Sequence, residues 1–559
     1  MDFEERWLVS AALPYVNNIP HVGNIAGSHL PADIFARFLR LFGKKVVFVG
    51  GTDEHGSPTE VAAFKAGLSP KELCDKLFKV HKKIYEWLGI SYDNFSRTSN
   101  QTNHELTTQI FLKLFRKGYI TKKKILLPYC EIDKRFLPDR WVEGTCPFCG
   151  YETARGDQCE ACARLLEPSQ LKNPYCIICK NKPVFKEVEH LFLNLKKFEK
   201  KLKKWIEANK HWKANVRNFA LAWIKEGLKE RCITRDLKWG IKVPLEGFEN
   251  KVFYCWFDAP IGYISSTIEW ARKIGRPEKW KEFWQDENSK IYHFIGKDNI
   301  PFHTIIWPAV LMGTEEYNLP YQVVGLEFLN YEGRKISKSK NWGVFLDVED
   351  DRVIVRIGEK VVDINPDFLR FYLAFILPET KDSNFILKDF EDRVNAELIG
   401  NFGNFALRVL SFIKSNFNSI VPEPENYGKK EKELIKKITE TKDSVKNSIL
   451  ELKFRETLKR ILELSKAGNQ YFQAKKPWET LKQDPADCRT ALYISINLLR
   501  ALAILFAPFI PFACEKLWKQ LNLPGLVHEQ IFDNLNKFEI KPGHKIGEIE
   551  PLFKKLEVS

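Results

Sequence analysis

Methionine occurs only twice in the 559 residues, at Met1 and Met312, and nothing functional follows from that scarcity. Long apolar runs are missing as well. The longest, residues 501–513, is interrupted by Pro508 and Pro511 and reads as the end of a packed helix, too short to span a bilayer. No Gly-x-x-x-x-Gly-Lys-Ser/Thr string is present, which argues against a P-loop nucleotide triphosphatase. There is no internal repeat and no low-complexity segment. The first residues, Met1-Asp2-Phe3-Glu4-Glu5-Arg6, are acidic and run directly into strand-like Trp7-Leu8-Val9, and no signal peptide is expected. Acidic residues are also in deficit. The 87 Lys and Arg against 72 Asp and Glu leave a net charge of +15, which points to a polyanionic partner, nucleic acid first. A chain of this length exceeds one hydrophobic core and is expected to form roughly three to five domains.

Cysteine, in contrast, is plentiful and clustered. Of the twelve, six form three Cys-x-x-Cys pairs in one central segment, a pattern that favours metal ligation in a reducing compartment over disulfides. Cys146/Cys149 and Cys159/Cys162 are nine residues apart, which lets four thiolates close a tetrahedron around one zinc ion. Cys176/Cys179 needs two further ligands. Cys130, followed three residues later by Asp133, offers them, because a carboxylate oxygen is an acceptable zinc ligand; the alternative is a thiol pair left empty. Cys74, Cys232, Cys255, Cys488 and Cys514 read as small core residues.

A strand from Trp7 leads through Ala11-Ala12-Leu13-Pro14-Tyr15 into a loop, and His21-Val22-Gly23-Asn24 opens a helix to about Phe42. A buried strand over 46–50 ends in Gly51-Thr52-Asp53-Glu54-His55-Gly56. This is a βαβ unit, and the loop after its first strand is where such sheets bind nucleotides. His21, just before a helix N-terminus, is placed to hydrogen-bond a phosphate, and Gly23 lets a nucleotide approach the backbone. Asp53 reads either as the acceptor for an ammonium group or as a turn or capping aspartate. From about 119 to 245 the cysteine segment and a Lys-rich amphipathic helix over 198–207 interrupt the pattern. The sheet is expected to resume near Val252, with a strand over 291–295 before Gly296-Lys297-Asp298. From about 386, Leu434, Ile438, Val445, Ile449 and Leu452 at helical spacing predict a helix bundle, and residues 544–559 read as a charged, loosely attached tail. Residues 335–339, Lys-Ile-Ser-Lys-Ser, read alone as a solvated loop. Paired with the His21 motif they read as half of a split nucleotide site, two lysines on a mobile loop neutralising departing pyrophosphate.

In order, Ala-Leu-Pro-Tyr (12–15), His-Val-Gly-Asn (21–24), Gly-Thr-Asp-Glu-His-Gly (51–56), Phe-Leu-Pro-Asp-Arg (136–140), the 256–263 segment, Phe-Ile-Gly-Lys-Asp (294–298) and Lys-Ile-Ser-Lys-Ser (335–339) resemble the motifs of methionyl-tRNA synthetases, a family of class I aminoacyl-tRNA synthetases. The resemblance runs from residue 6 to about 520. Asn24 and the paired knuckles are most similar to the archaeal and eukaryotic branch.

The resemblance implies an α/β fold: a class I Rossmann-type parallel sheet over 1–118 and 246–330, interrupted by a zinc-knuckle insertion over 119–245. A stem-contact region with the Lys-Ile-Ser-Lys-Ser loop (331–385), an all-α anticodon-binding bundle (386–540) and a C-terminal tail (541–559) follow. It implies ATP-dependent activation of L-methionine to methionyl-adenylate and transfer to tRNA(Met). Its methionine pocket falls on Ala12, Leu13, Tyr15, Trp256, Ala259, Pro260, Tyr263 and His303, with Asp53 on the amino group. Cys255 lies on a wall where relatives often carry a branched aliphatic residue. The catalytic set falls on His21, Asn24, Arg235, Lys335 and Lys338, and ATP contacts on Gly23, Gly296, Asp298 at the ribose, Ser337 and Lys338. Asn404 and Arg408, one helical turn apart, and Trp478, which would stack on an unpaired base, fall on the anticodon. Structural zinc, magnesium accompanying ATP, a cytoplasmic location away from membranes and a monomer are implied too. The insertion, filled by knuckles and a basic helix, leaves no room for the hydrolytic editing domain of isoleucyl-, valyl- and leucyl-type relatives. Ile336 stands where the family usually has methionine and is expected to anchor the loop by packing. Another class I synthetase is the enzymatic alternative. A catalytically silent tRNA-binding scaffold is the alternative from another class, against which His21, Asp53, Lys335 and Lys338 together argue.

Overall fold

Five strands, all parallel, make the sheet that carries the site: β1 (Arg6–Ala11), β2 (Lys45–Thr52), β3 (Asn94–Arg97), β4 (Ser289–Gly296) and β5 (Gln322–Leu326), in the order β5-β4-β1-β2-β3. The computed structural model describes residues 5–558 except 160, 163 and 165. β1 and β2 are apolar on both faces because helices cover both sides, as a central parallel strand requires. The chain runs outward from β1 to β3 and then returns to pair β4 with β1. The order therefore reverses between β1 and β4, and a crevice opens beyond their carboxyl ends.

The crossover from β1 to β2 is a single helical rod from Val22 to Leu41 with a π-helical turn at Ile25–His29. β3 is followed by the insertion, built on a long antiparallel ribbon of Ile120–Cys130 against Val184–Leu193. A smaller sheet of Val142–Thr145, Ala154–Arg155 and Lys172–Cys176 presents the cysteines. The lysine-rich helix spans Glu199–Ala208. Val252 does not rejoin the parallel sheet, contrary to expectation. Val252–Phe253 pairs antiparallel with Thr234–Arg235, two short helices follow at Cys255–Asp258 and Ile261–Lys273, and the parallel strands resume only at Ser289. Two apolar residues are too few to cross this sheet, whereas the eight residues of β4 reach its full depth.

The bundle comprises Leu387–Arg393, a π-helical run Val394–Gly403, and helices Asn404–Phe417, Lys429–Leu450, Phe454–Lys475, Pro477–Gln483, Pro485–Phe506 and Pro511–Gln520. Leu434, Ile438, Val445 and Ile449 are buried as their spacing predicts, but Leu452 lies past the helix end, in a turn with φ of +58°. Pro485–Phe506 is long and apolar enough to cross a membrane, yet 94% of that stretch is buried inside the fold, so its composition is that of a core helix. The run 501–513 is the end of this helix and the start of the next. The terminal segment is not loosely attached. Among its charged residues lie Ile546, Leu552, Phe553 and Leu556, all buried, and Asn395 exchanges two 2.9 Å hydrogen bonds with the Leu556 backbone.

Sheet and bundle meet at Arg370, fully buried on helix Pro366–Phe375. Its guanidinium donates to Asp33 Oδ2 (2.7 Å), on the β1–β2 crossover, and to the carbonyls of Leu88 (3.0 Å), Pro508 (2.6 Å) and Phe509 (2.9 Å).

Candidate active site

The crevice begins where β1 gives way to Ala12, whose N–H donates to the Phe294 carbonyl of β4 (2.9 Å). After the intervening loop, His21 caps the crossover helix with its own ring. Nδ1 accepts from the Gly23 N–H (3.1 Å), and Asn24 Oδ1 accepts from the His21 N–H (3.1 Å). Burial holds the imidazole pKa down to about 4, so the ring is neutral. With Nδ1 accepting, the proton sits on Nε2, and the group left to a ligand is an N–H donor at a helix N-terminus. Gly23 is required first by His21 itself: a Cβ there would lie 2.9 Å from the ring.

The Lys-Ile-Ser-Lys-Ser loop lies against this helix. Phe345 forms a β-bridge with His21, and Leu346 N–H donates to the Pro20 carbonyl (3.0 Å). Ile336 is partly buried, with its δ-methyl 3.4 Å from the position of a Cβ on Gly23, so it anchors the loop as its apolar character predicts. Ser337 and Trp342 exchange backbone hydrogen bonds of 2.8 and 2.9 Å that close the loop. Lys335 is exposed and its charge acts on Asp298. Asp298 follows the end of β4, and its Oδ1 lies 2.8 Å from where a Gly296 Cβ would be, which explains the glycine. Lys338 donates its ammonium to Asn18 Oδ1.

Beside the nucleotide loop the expected pocket residues converge. Leu13 packs between Gly51 and Gly262. Trp256 Nε1–H donates to Tyr15 Oη, which lies 3.7 Å from Cys255 Sγ; the Trp256 ring packs edge-on at 4.0 Å against Phe302. Ala259 and Pro260 lead from the Cys255–Asp258 turn into helix Ile261–Lys273, which carries Tyr263. His303 donates from Nδ1 to the Asn299 carbonyl (3.0 Å), so its Nε2 accepts from Tyr263 Oη (3.0 Å). Asp53 is bridged to Tyr15 at the end of β2 and is 4% exposed. Burial, and then the charge of Asp258, push its carboxyl well above the usual carboxylate range. Its Oδ1 is buried with no hydrogen-bond partner in the described protein, a costly state that an ammonium ligand would relieve. Arg235 lies further out: Nε donates to Asp139 Oδ2 (2.9 Å), and its guanidinium stacks 3.8 Å above Tyr254, whose ring is 5.0 Å from Trp256.

The cysteines form two tetrads. In each, the ligand atoms lie within 4.8 Å of one another: Cys146, Cys149, Cys159 and Cys162 in one, and Cys130, Asp133, Cys176 and Cys179 in the other. Sγ separations of 3.9 Å (Cys146 to Cys162) and 3.6 Å (Cys149 to Cys159) match the roughly 3.8 Å edge of a tetrahedron with Zn–S bonds of about 2.3 Å. Asp133 Oδ2 lies 3.1 Å from Cys130 Sγ and 3.0 Å from Cys176 Sγ, facing the thiols as a fourth ligand would. Both donor sets fit a structural zinc.

On the bundle, Arg408 and Trp478 come together although seventy residues separate them. The Arg408 guanidinium lies 5.6 Å from the Trp478 ring and is held by Gln473 Oε1 (2.9 Å). Trp478 is 41% exposed, and Asn404, one turn from Arg408, is also exposed.

The family described as tRNA synthetases class I (M) matches residues 7–410, and the anticodon binding domain of methionyl tRNA ligase matches residues 421–558. Curated relatives named methionine--tRNA ligase include those of Pyrococcus furiosus, 45% identical over 98% of this chain and 75% of the relative, and Aeropyrum pernix, 42% identical over 99% and 95%. The chain belongs to the methionyl-tRNA synthetase family. The solved methionyl-tRNA synthetase of Mycobacterium tuberculosis in complex with methionyl-adenylate shares the fold, with a TM-score of 0.78 at 24% identity over 99% of this chain and all of the other.

For a methionyl-tRNA synthetase, three polar groups stand out that the motif reading passed over. Asp258 accepts from His55 Nδ1 (2.8 Å), both buried, and its charge acts on Asp53. Glu60 Oε1 accepts the N–H groups of Lys238 (2.8 Å) and Trp239 (2.9 Å) and so ties the insertion to the crevice. Asn18 meets Lys338 across the chain. His55 and Asp258 lay inside quoted motifs, where a buried acid and histidine were the available signal; nothing in the local sequence marks Glu60 or Asn18.

Proposed function

We propose that the chain activates L-methionine with ATP and transfers it to tRNA(Met). The observation that carries this reading is Asp53: a buried carboxyl that accepts from the His55 backbone but whose Oδ1 has no protein donor, walled by Tyr15, Cys255 and Tyr263. Asp53 receives the methionine ammonium, and the side chain lies among Ala12, Leu13, Trp256, Ala259, Pro260 and His303. The methionine carboxylate oxygen attacks the α-phosphorus of ATP. A C–O–P linkage forms, the bond from the α-phosphorus to the bridging oxygen breaks, and pyrophosphate leaves with that electron pair. His21 Nε2–H holds a phosphate oxygen, Asn24 keeps His21 in its cap, Asp298 takes the ribose, and Gly296 and Ser337 shape the nucleotide's seat. Lys335 and Lys338 neutralise the leaving charge, and Arg235 steadies the outer rim. A hydroxyl of the terminal adenosine of tRNA then attacks the mixed anhydride carbonyl, and AMP departs.

Magnesium accompanies ATP as part of that substrate. Zinc on the two tetrads fixes the knuckles and takes no part in the chemistry. Asn404, Arg408 and Trp478 read the anticodon, and residues 119–245, 331–385 and 386–540 act as insertion, stem-contact and anticodon modules around the catalytic domain of 1–118 and 246–330. A cytoplasmic reaction agrees with these substrates. The test of the amino-acid site is Asp53→Asn. It is expected to raise the methionine KM about 10- to 100-fold, the value of one charge-assisted hydrogen bond, while leaving the ATP KM unchanged. An unchanged methionine KM contradicts the assignment.

A further inference from the structure

The nucleotide loop contains an acceptor that the reaction described above does not use. Asn18 lies between β1 and the His21 cap, and its Oδ1 accepts the Lys338 ammonium together with the Ile19 N–H (3.2 Å). Its main chain is held from the opposite side: His81, buried on helix Pro70–Trp87, donates from Nε2 to the Asn18 carbonyl (2.8 Å). The carboxamide therefore stands at a fixed place, three residues before His21. The Lys-Ile-Ser-Lys-Ser loop is brought to it by the Ile336 contact with Gly23, the Phe345 bridge to His21 and the Leu346 bond to Pro20. Among the described residues, Lys338 forms no ion pair with a carboxylate.

The chemistry of this acceptor matters. A carboxylate in this place would hold the lysine more tightly but cancel the charge that the phosphates need, and would repel ATP. A bare loop would leave a flexible four-carbon side chain to find the phosphates unaided. A carboxamide avoids both faults, since it accepts a hydrogen bond while carrying no charge.

We propose that Asn18 is a positioning residue for adenylate formation: its carboxamide oxygen holds the Lys338 ammonium, charge undiminished, at the edge of the site where pyrophosphate is released. The inference rests on the assignment of this site to methionine activation. Asn18 acts through Lys338, so its loss and the loss of the lysine are one loss counted twice.

The experiment compares the full chain with Asn18→Ala, Asn18→Asp, Lys338→Ala and the Asn18→Ala/Lys338→Ala pair. It follows the single-turnover rate of methionyl-adenylate formation against ATP concentration at low and high salt. Asn18→Ala is expected to slow adenylate formation about 5- to 20-fold with methionine affinity unchanged. Asn18→Asp is expected to raise the ATP KM about tenfold at low salt, with much of that rise removed at 0.5 M salt by screening. The double variant is expected to match Lys338→Ala alone, because groups acting through one interaction are not additive. A double variant slower than Lys338→Ala by the full factor of Asn18→Ala overturns the proposal, as does an Asn18→Asp protein with the wild-type ATP KM. Wild-type protein that forms no adenylate overturns the parent assignment and this inference with it. Wild-type protein that forms adenylate while the variants fail to follow this pattern overturns the inference alone.

Discussion

Replacing Arg370 by methionine keeps the length and apolar body of the side chain and removes the guanidinium at the junction of sheet and bundle. Three buried carbonyls, of Leu88, Pro508 and Phe509, then lose their donor, and Asp33 loses one of its partners. An unsatisfied buried acceptor costs about 1–3 kcal/mol, which bounds the carbonyl loss at roughly 3–9 kcal/mol. Asp33 keeps Arg37 (2.9 Å), the Ser91 N–H (2.7 Å) and Ser91 Oγ (2.6 Å), so its charge is not stranded. Breaking one side of a buried pair typically costs about 3–5 kcal/mol, and we take about 4 kcal/mol. For an unfolding unit of roughly 150–250 residues, 1 kcal/mol shifts the midpoint by about 2–4 °C, so the first calorimetric transition is expected to fall by about 8–16 °C. Arg370→Lys is expected to recover little of this, because one ammonium cannot serve acceptors spread around a planar fork. A midpoint shift below about 3 °C would refute the reasoning, since it would mean that the carbonyls are satisfied without the guanidinium.

Trp478→Ala is expected to weaken tRNA charging by roughly 1–3 kcal/mol, the stacking value of one base, while methionine activation is unchanged; equal loss in both assays contradicts the anticodon assignment. Metal analysis of purified protein is expected to find two zinc equivalents, and Asp133→Ala one; retention of both in that variant removes Asp133 from the second tetrad. Acid destabilisation should include a specific contribution from Asp33. Burial raises its carboxyl, but Arg37, Arg370 and Ser91 prevail and hold it down to about 2. Its folded pKa thus lies below an unfolded value near 3.9, so it stabilises the fold above about pH 4, by a few kcal/mol at most, and this is lost as the pH falls from about 4 towards 2. In Asp33→Asn, stability should change less over that window; an unchanged pH slope contradicts the assignment.

The elements that were legible in sequence are those whose physical cause is local. Short Cys-x-x-Cys loops place two thiols side by side whatever the rest of the chain does, and pairing the knuckles required only a spacing. The His21 cap and the β1–β2 crossover follow from a strand, a polar cap and a run of helix formers within forty residues. Ile336 could be read as a packed anchor because an apolar residue amid lysines and serines has little other use. What remained hidden depends on contacts between distant segments. Arg370 sits in an apolar helix where sequence alone offers no partner, and its four acceptors come from three separate elements. The resumption of the parallel sheet was misplaced because Val252–Phe253 has strand character but pairs with Thr234–Arg235 outside the sheet. The terminal segment looked loose because its apolar residues follow neither a helical nor a strand period. They dock through irregular backbone held by Asn395 and the Ser419–Val421 turn.

The central claim is that the crevice between β1 and β4 activates methionine. It is tested most directly by exchange of labelled pyrophosphate into ATP without tRNA, using zinc-replete protein and methionine, leucine, isoleucine or valine in turn. The account predicts exchange that requires methionine, is at least tenfold weaker with each of the others, and is lost in Asp53→Ala. Exchange equally supported by another of these amino acids, or none from folded wild-type protein, would contradict it.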